Sequence, residues 1–213
     1  MKRSKKLILV LAALGMFAGE TFAKEITTSI IPGKMWSERA PQCAVWIEDE
    51  NGIFVDTIYV TKSAAKKGWK FSPKEGRPDS LPAWYGAAGI NPAAPTVKNF
   101  DAVASATPKK SITVTSNLNL QTGKKYIVKA EVNQSFDYNE FWTKKNSGVN
   151  GQPSLIYSGE FVAGGKLAAN DSEIVLTLQG HGDLEGKSKK IFTTEMEKIT
   201  TAIQIIGKVV VAF

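Results

Sequence analysis

The chain has one histidine and one cysteine, and these two residues with their neighbours bound the chemistry open to it. His181 lies in Gly180-His181-Gly182-Asp183-Leu184-Glu185-Gly186, where His181, Asp183 and Glu185 alternate. In an extended loop such alternation turns three ligand-type side chains to one side, where they could meet a divalent cation with help from backbone carbonyls. The same segment also reads as a solvated glycine-rich turn, because no second histidine at helical spacing and no acidic ladder accompanies it. Cys43 sits inside the apolar run Cys43-Ala44-Val45-Trp46-Ile47, the setting of a small buried thiol; a nucleophilic cysteine needs an activating base nearby. No Gly-x-Ser-x-Gly elbow occurs, and although a glycosidase can run on two carboxylates, nothing in the sequence pairs two of them. The chain is therefore read as non-enzymatic. A further group is aromatic: Trp69, Phe71, Trp84 and Tyr85, joined by Phe136, Tyr138, Phe141 and Trp142. Exposed at loop edges these rings would form a platform for a sugar, a flavin ring or a protein segment, with Trp69, Trp84, Tyr85 and Trp142 as the ligand-binding candidates. Packed inward they would cover the open end of the fold as a satellite core.

The elements that must hold these residues are mainly strands. Asn51-Gly52 separates the β-rich runs Cys43 to Glu48 and Ile53 to Thr61, and this pair tolerates the positive φ of a tight hairpin turn. Further strands are expected at Ile26 to Ile31, Ser111 to Ser116, Lys125 to Asn133, Ser154 to Phe161, Glu173 to Gln179 and Lys208 to Phe213. Alternation sets Tyr126, Val128 and Ala130 against Lys125, Ile127, Lys129 and Glu131, and puts Val209, Val211 and Phe213 on one face. About eight short strands with turns between them point to an all-β sandwich. One short C-terminal helix is expected where Thr194-Glu195-Met196-Glu197 matches a capping box, followed by Met196, Ile199, Ile203 and Ile206 at helical spacing and by Gly207 as a stop. Residues 62–110, rich in proline and aromatic side chains, form a long irregular insertion within a single domain spanning 24–213.

Residues 1–23 are read as a secretory signal peptide. Lys2, Arg3, Lys5 and Lys6 precede the apolar run Leu7 to Phe17, and Thr21-Phe22-Ala23 is a small-x-small cleavage site, placing the mature start near Lys24. The apolar run is too short for a bilayer core of about 30 Å, so the expected address is periplasmic or secreted. The leader carries four of the 27 Lys and Arg residues and one of the 20 acidic ones, which leaves the remaining 190 residues at +4 instead of +7. Arginine is then reduced to Arg39 and Arg77, and the lysines are scattered doublets, so no nucleic-acid partner is expected. A single cysteine allows no intrachain disulfide, and stability must come from a core. An outer-membrane barrel would need strands of about 9 to 11 residues; the shorter runs and the polar insertion fit it poorly, and no integral membrane protein is expected.

Two resemblances add to this. The segments Pro41-Gln42-Cys43-Ala44-Val45-Trp46-Ile47-Glu48-Asp49, Gly52-Ile53-Phe54-Val55 and Asp101-Ala102-Val103-Ala104-Ser105-Ala106-Thr107-Pro108 resemble a bacterial family of predicted periplasmic proteins of unknown function, similar in outline to the immunoglobulin-like domain of flagellar hook-capping proteins. That resemblance covers about 26–213 and implies an immunoglobulin-like β-sandwich without assigning an activity. Asp101, Ala106 and Thr107 also match part of the Asp-x-x-(Ser/Thr)-Gly-Ala-Thr pattern of exported flavoproteins that carry FMN on a threonine through a phosphoester bond, with Ala104 in place of the hydroxyl residue and Ser105 in place of glycine. It implies Thr107 as acceptor and Asp101 as its support. The functional expectation is thus an exported, non-enzymatic binding or accessory module working with another exported or envelope protein. The alternative is a redox-associated protein that carries or contacts FMN.

Overall fold

The computed structural model describes residues 21–36, 41–65, 76–89, 104–105, 111–164, 173–184 and 188–213. Its most local feature is the expected hairpin: β2 (Gln42–Asp49) and β3 (Phe54–Thr61) pair antiparallel around Gly52, whose φ of 75° is accessible to glycine. The Asp49 carboxylate closes the turn by accepting the backbone N–H groups of Asn51 and Ile53, each at 2.9 Å. These bonds, that from Ile53 first, hold the Asp49 carboxyl below its ordinary range.

The remaining strands are β1 (Thr21–Pro32), β4 (Ala104–Ser105), β5 (Ile112–Gln121), β6 (Lys125–Asn133), β7 (Leu155–Val162), β8 (Glu173–Val175), β9 (Thr177–His181) and β10 (Ile206–Ala212). They form two open sheets, ordered β5-β1-β10-β8 and β4-β3-β2-β6-β7-β9, antiparallel throughout except where the two residues of β4 run parallel to β3. The all-β sandwich is the observed fold. The ladder between β1 and β5 reaches back to Thr21↔Gln121, ahead of the expected cleavage point at Ala23. The Glu173 to Gln179 run is two strands instead of one: Leu176 is buried and its N–H bonds the Val209 carbonyl, and there the chain passes from the small sheet to the large one. Among the described residues no helix is long and apolar enough to cross a membrane.

Two further expectations are revised. The C-terminal segment forms two 3-10 turns, Met196–Lys198 and Thr201–Gln204, in place of one α-helix. Ile199 is extended between them and Glu195 is left-handed at φ 60°. The β-branched run Ile199-Thr200-Thr201 disfavours a continuous helix, and the stripe splits: Ile199 and Ile206 are buried whereas Ile203 is exposed. The insertion, in turn, is not wholly irregular. Its described parts include α1 (Lys62–Ala65), a 3-10 turn at Pro78–Ser80, α2 (Pro82–Ala87) and β4. Pro82 opens α2, where its fixed φ suits the first helical turn and its missing N–H removes a donor that would otherwise lack a partner.

β2 shows how the layers are arranged, because both its faces are buried. Cys43, Val45 and Ile47 enter the core between the sheets with Tyr126, Val128 and Ala130 of β6 and Val209 and Val211 of β10. Ala44 and Trp46 point the other way, into a second core made with Leu81, Ala83, Trp84 and Tyr85 of the insertion and Ile156 of β7. The described part of the insertion around α1 and α2 is thus a third layer on the outer face of the six-stranded sheet.

Candidate functional site

The outer face beneath α2 holds a fully buried carboxylate. Glu131 leaves β6 outward, is essentially fully buried, and accepts the backbone N–H groups of Ala83 (3.2 Å) and Trp84 (2.8 Å) and the hydroxyl of Ser154 (2.6 Å). Burial pushes its carboxyl up to about 7, against the opposing pull of the Ser154 and backbone bonds. Gly182 closes the side of this cluster; a Cβ there would lie 2.3 Å from Ser154 Oγ and 3.0 Å from Glu131 Oε1. Nearby on the same sheet, Glu48 accepts from Trp46 Nε1 (2.8 Å) and pairs with Lys129 Nζ (2.6 Å), while Trp84 Nε1 donates to Thr57 Oγ1 (3.0 Å). Every polar group named here is satisfied by another part of the fold, so the cluster works as a latch that docks the insertion.

The candidates read from sequence distribute as follows. Trp84 and Tyr85 are buried in the second core, ring centroids 5.1 Å apart edge to face, and Trp142 is buried in the inter-sheet core, so these three rings offer no open face. Cys43 is fully buried and its thiol is pushed far up by desolvation, in keeping with a packing role. His181 ends β9. Its ring stacks on Phe192 at 5.7 Å, with Nδ1 2.9 Å from the Gly182 carbonyl and Nε2 2.9 Å from the Thr194 carbonyl. Both ring nitrogens therefore face backbone oxygens, and His181 clasps the two ends of the 182–194 segment. Asp183 is half-buried, and among the described residues no group of three or more His, Cys, Asp or Glu could hold a metal. Trp69, Phe71, Asp101, Thr107 and Glu185 lie outside the described residues.

Among the described residues, the exposed aromatic side chains are on the 134–152 loop between β6 and β7. Phe136 is 47% exposed, Phe141 is 41% exposed, and Val149, whose carbonyl accepts the Phe136 N–H, is exposed as well. Phe136 adopts φ 65°, a conformation uncommon for a bulky side chain. Side-chain amides hold the loop from beneath. Asn139 Oδ1 accepts the N–H groups of Phe141 and Trp142, and its Nδ2 donates to the Lys198 carbonyl (2.9 Å). Asn146 Oδ1 accepts the Thr143 N–H and its Nδ2 donates to the Phe141 carbonyl (2.8 Å). Gln152 Nε2 and Thr201 Oγ1 both donate to Asp137, whose carboxyl is raised by burial against the pull of these bonds. Asn150 accepts from the buried Arg77 and donates to Asp79 (2.8 Å to Oδ2), tying the loop to the insertion. Gly151, at φ 70°, lets the backbone of Asp137 approach within 2.5 Å of where a Cβ would be. Lys198 Nζ stands 5.5 Å from the Phe141 ring centroid.

Sequence reasoning named these aromatics without distinguishing the buried from the exposed, and it passed over the amides. The available signal was density: residues 133–152 contain Asn133, Gln134, Asn139, Asn146, Asn150 and Gln152. Glu131 gave a weaker one, because alternation puts it on the polar face of β6 and only the arrival of α2 buries it. No protein-family model matches the chain, and no curated protein is significantly similar to it.

Proposed function

We propose that the chain is an exported, non-enzymatic binding or accessory module of the bacterial envelope, which grips another exported protein through the 134–152 loop. The observation that carries this reading is Phe136, an aromatic side chain kept about half exposed in a left-handed backbone conformation. Such strain is sustained only where the surroundings over-determine it, and here amide bonds from Asn139, Asn146, Asn150 and Gln152 do so. A loop fixed in advance loses little entropy on binding, and exposed aromatics on a rigid base are efficient anchors. The two acidic side chains raised by burial, Glu131 and Asp137, are both engaged in internal hydrogen bonds, which favours binding over catalysis. The leader-like segment and the resemblance to predicted periplasmic proteins support the address.

The test places a photo-crosslinking residue at Phe136 or Phe141 in the expressing bacterium, with cell fractionation alongside. The expected result is a discrete adduct in the envelope fraction, formed at these two positions and lost when Asn139→Ala loosens the loop. Adduct patterns no different from those formed through Thr113, on the opposite sheet, or a chain retained uncleaved in the cytoplasm, would overturn the reading.

A further inference from the structure

Four strands end the two sheets: β5 and β8 in the smaller, β4 and β9 in the larger. An edge strand displays unpaired backbone N–H and C=O groups, and folded proteins blunt such edges by brevity, charge, proline, bulges or cover. β4 has two residues and β8 three, the latter opening on Glu173. β9 has five, shifts register against β7 and ends in a bridge to Phe192. β3, which β4 accompanies only at Val60 and Thr61, carries Asp56 along its remaining length. Among the described residues β5 has none of these devices: it runs for ten residues without charge, proline or glycine, keeps unbroken register with β1 from Ile112 to Leu118 in a chain that starts at Lys24, and has no ladder on its other side.

We propose that β5 is a self-association edge: the β5 strands of two copies pair antiparallel about a twofold axis and join two four-stranded sheets into one of eight. A second copy fits this edge for two reasons. The outward row, Thr113, Thr115, Asn117 and Asn119, is uncharged and suited to hydroxyl and amide bonds. Those bonds already join β1 to β5, at Thr27 Oγ1 to Thr115 Oγ1 (3.0 Å) and Ser29 Oγ to Thr113 Oγ1 (3.3 Å). Across a dyad this row meets itself without like-charge repulsion, even though the chain is net basic. The inward row, Ile112, Val114, Leu118 and Leu120, packs on the inter-sheet core, so a partner strand must bring the same alternation in register, which β5 itself does. Edge pairing covers less than the roughly 800 Å² per partner of a stable complex, so the association is reversible.

Analytical ultracentrifugation of the mature chain across about 1–200 µM, where small interfaces associate, tests this. The expected result is a monomer–dimer equilibrium that Thr115→Lys weakens by about tenfold or more through like charges facing across the dyad. Val175→Lys, on the β8 edge, leaves it unchanged. Circular dichroism establishes whether Thr115→Lys is folded. If it is not, single cysteines at Thr113, Asn117 and Asn119 decide the question without interference from the buried Cys43. Antiparallel pairing gives disulfide yields that peak at the position nearest the dyad, whereas parallel pairing gives equal yields. A chain that stays monomeric, a dimer indifferent to folded Thr115→Lys, or equal yields at all three cysteines overturns the proposal.

Discussion

Burial without a countercharge governs Glu131. Below pH 4.5, its ordinary value, the carboxyl is protonated whether the chain is folded or not; between 4.5 and about 7 only the folded chain keeps the proton. Its contribution to stability is therefore fully present at low pH and is lost as the pH rises through about 7. The melting temperature is expected to fall between about pH 4.5 and 7 and to level off above, and Glu131→Gln should remove that part of the fall because it has no proton to lose, at the cost of a lower melting temperature throughout, since one amide oxygen replaces the two that accept separately from Ala83 and Trp84. Equal slopes of melting temperature against pH in both proteins would refute this. Glu131→Ala should cost about 2–4 kcal/mol in urea unfolding, because it strands two buried N–H groups. The alternation of β6 made the outward direction of Glu131 legible in the sequence. Its burial was not, because that depends on Ala83 and Trp84, 48 and 47 positions away, arriving through a proline-rich segment with no periodicity.

Strands read well where one face is aliphatic and turns are marked. The Asn51-Gly52 hairpin and β6 lie where alternation put them, because local chemistry alone specifies them. Segments organised by distant partners read poorly, as at the two 3-10 turns and at Leu176, which is buried in the inter-sheet core where the chain changes sheets. The same distinction separates glycines. Gly151→Ala combines a positive φ with backbone contacts under 3 Å and should cost about 2–4 kcal/mol; Gly148→Ala, with positive φ and open space, should cost about 1 kcal/mol. Thermal melts of the two variants compare them directly, and equal losses would mean that the Asp137 contact yields easily. At the hairpin, Asp49→Ala removes bonds that the charged carboxylate accepts more strongly than the neutral acid does. Since the folded value of Asp49 is depressed, its contribution is present above the unfolded value and fades as pH falls, and the gap between variant and parent should close in acid.

The molecule as a whole has one core closed by two sheets and another closed by an insertion, and these differ in how they come apart. The second core depends on α2, held by Trp84 and by the Glu131 bonds, so Trp84→Ala should release the insertion while the sandwich persists. Limited proteolysis of that variant is expected to cut first within 62–110 and to leave fragments that still show strand signals by circular dichroism; cleavage spread evenly over the chain would mean that the cores melt together. The two Asn-Gly pairs will not age alike. Asn-Gly sites lose ammonia when the glycine nitrogen attacks the asparagine side chain, a step that needs a pliable backbone and an accessible amide. Asn51 is exposed in a hairpin turn where its side chain bonds locally to Asp49 and a Cβ on Gly52 would make an ordinary 3.8 Å contact with Glu48 Oε2, whereas Asn150 is bound by Arg77 and Asp79 and Gly151 is wedged against Asp137. In stored protein, conversion to aspartate should gather at Asn51, so the chain acquires negative charge at the hairpin while the amide that anchors the 134–152 loop stays intact.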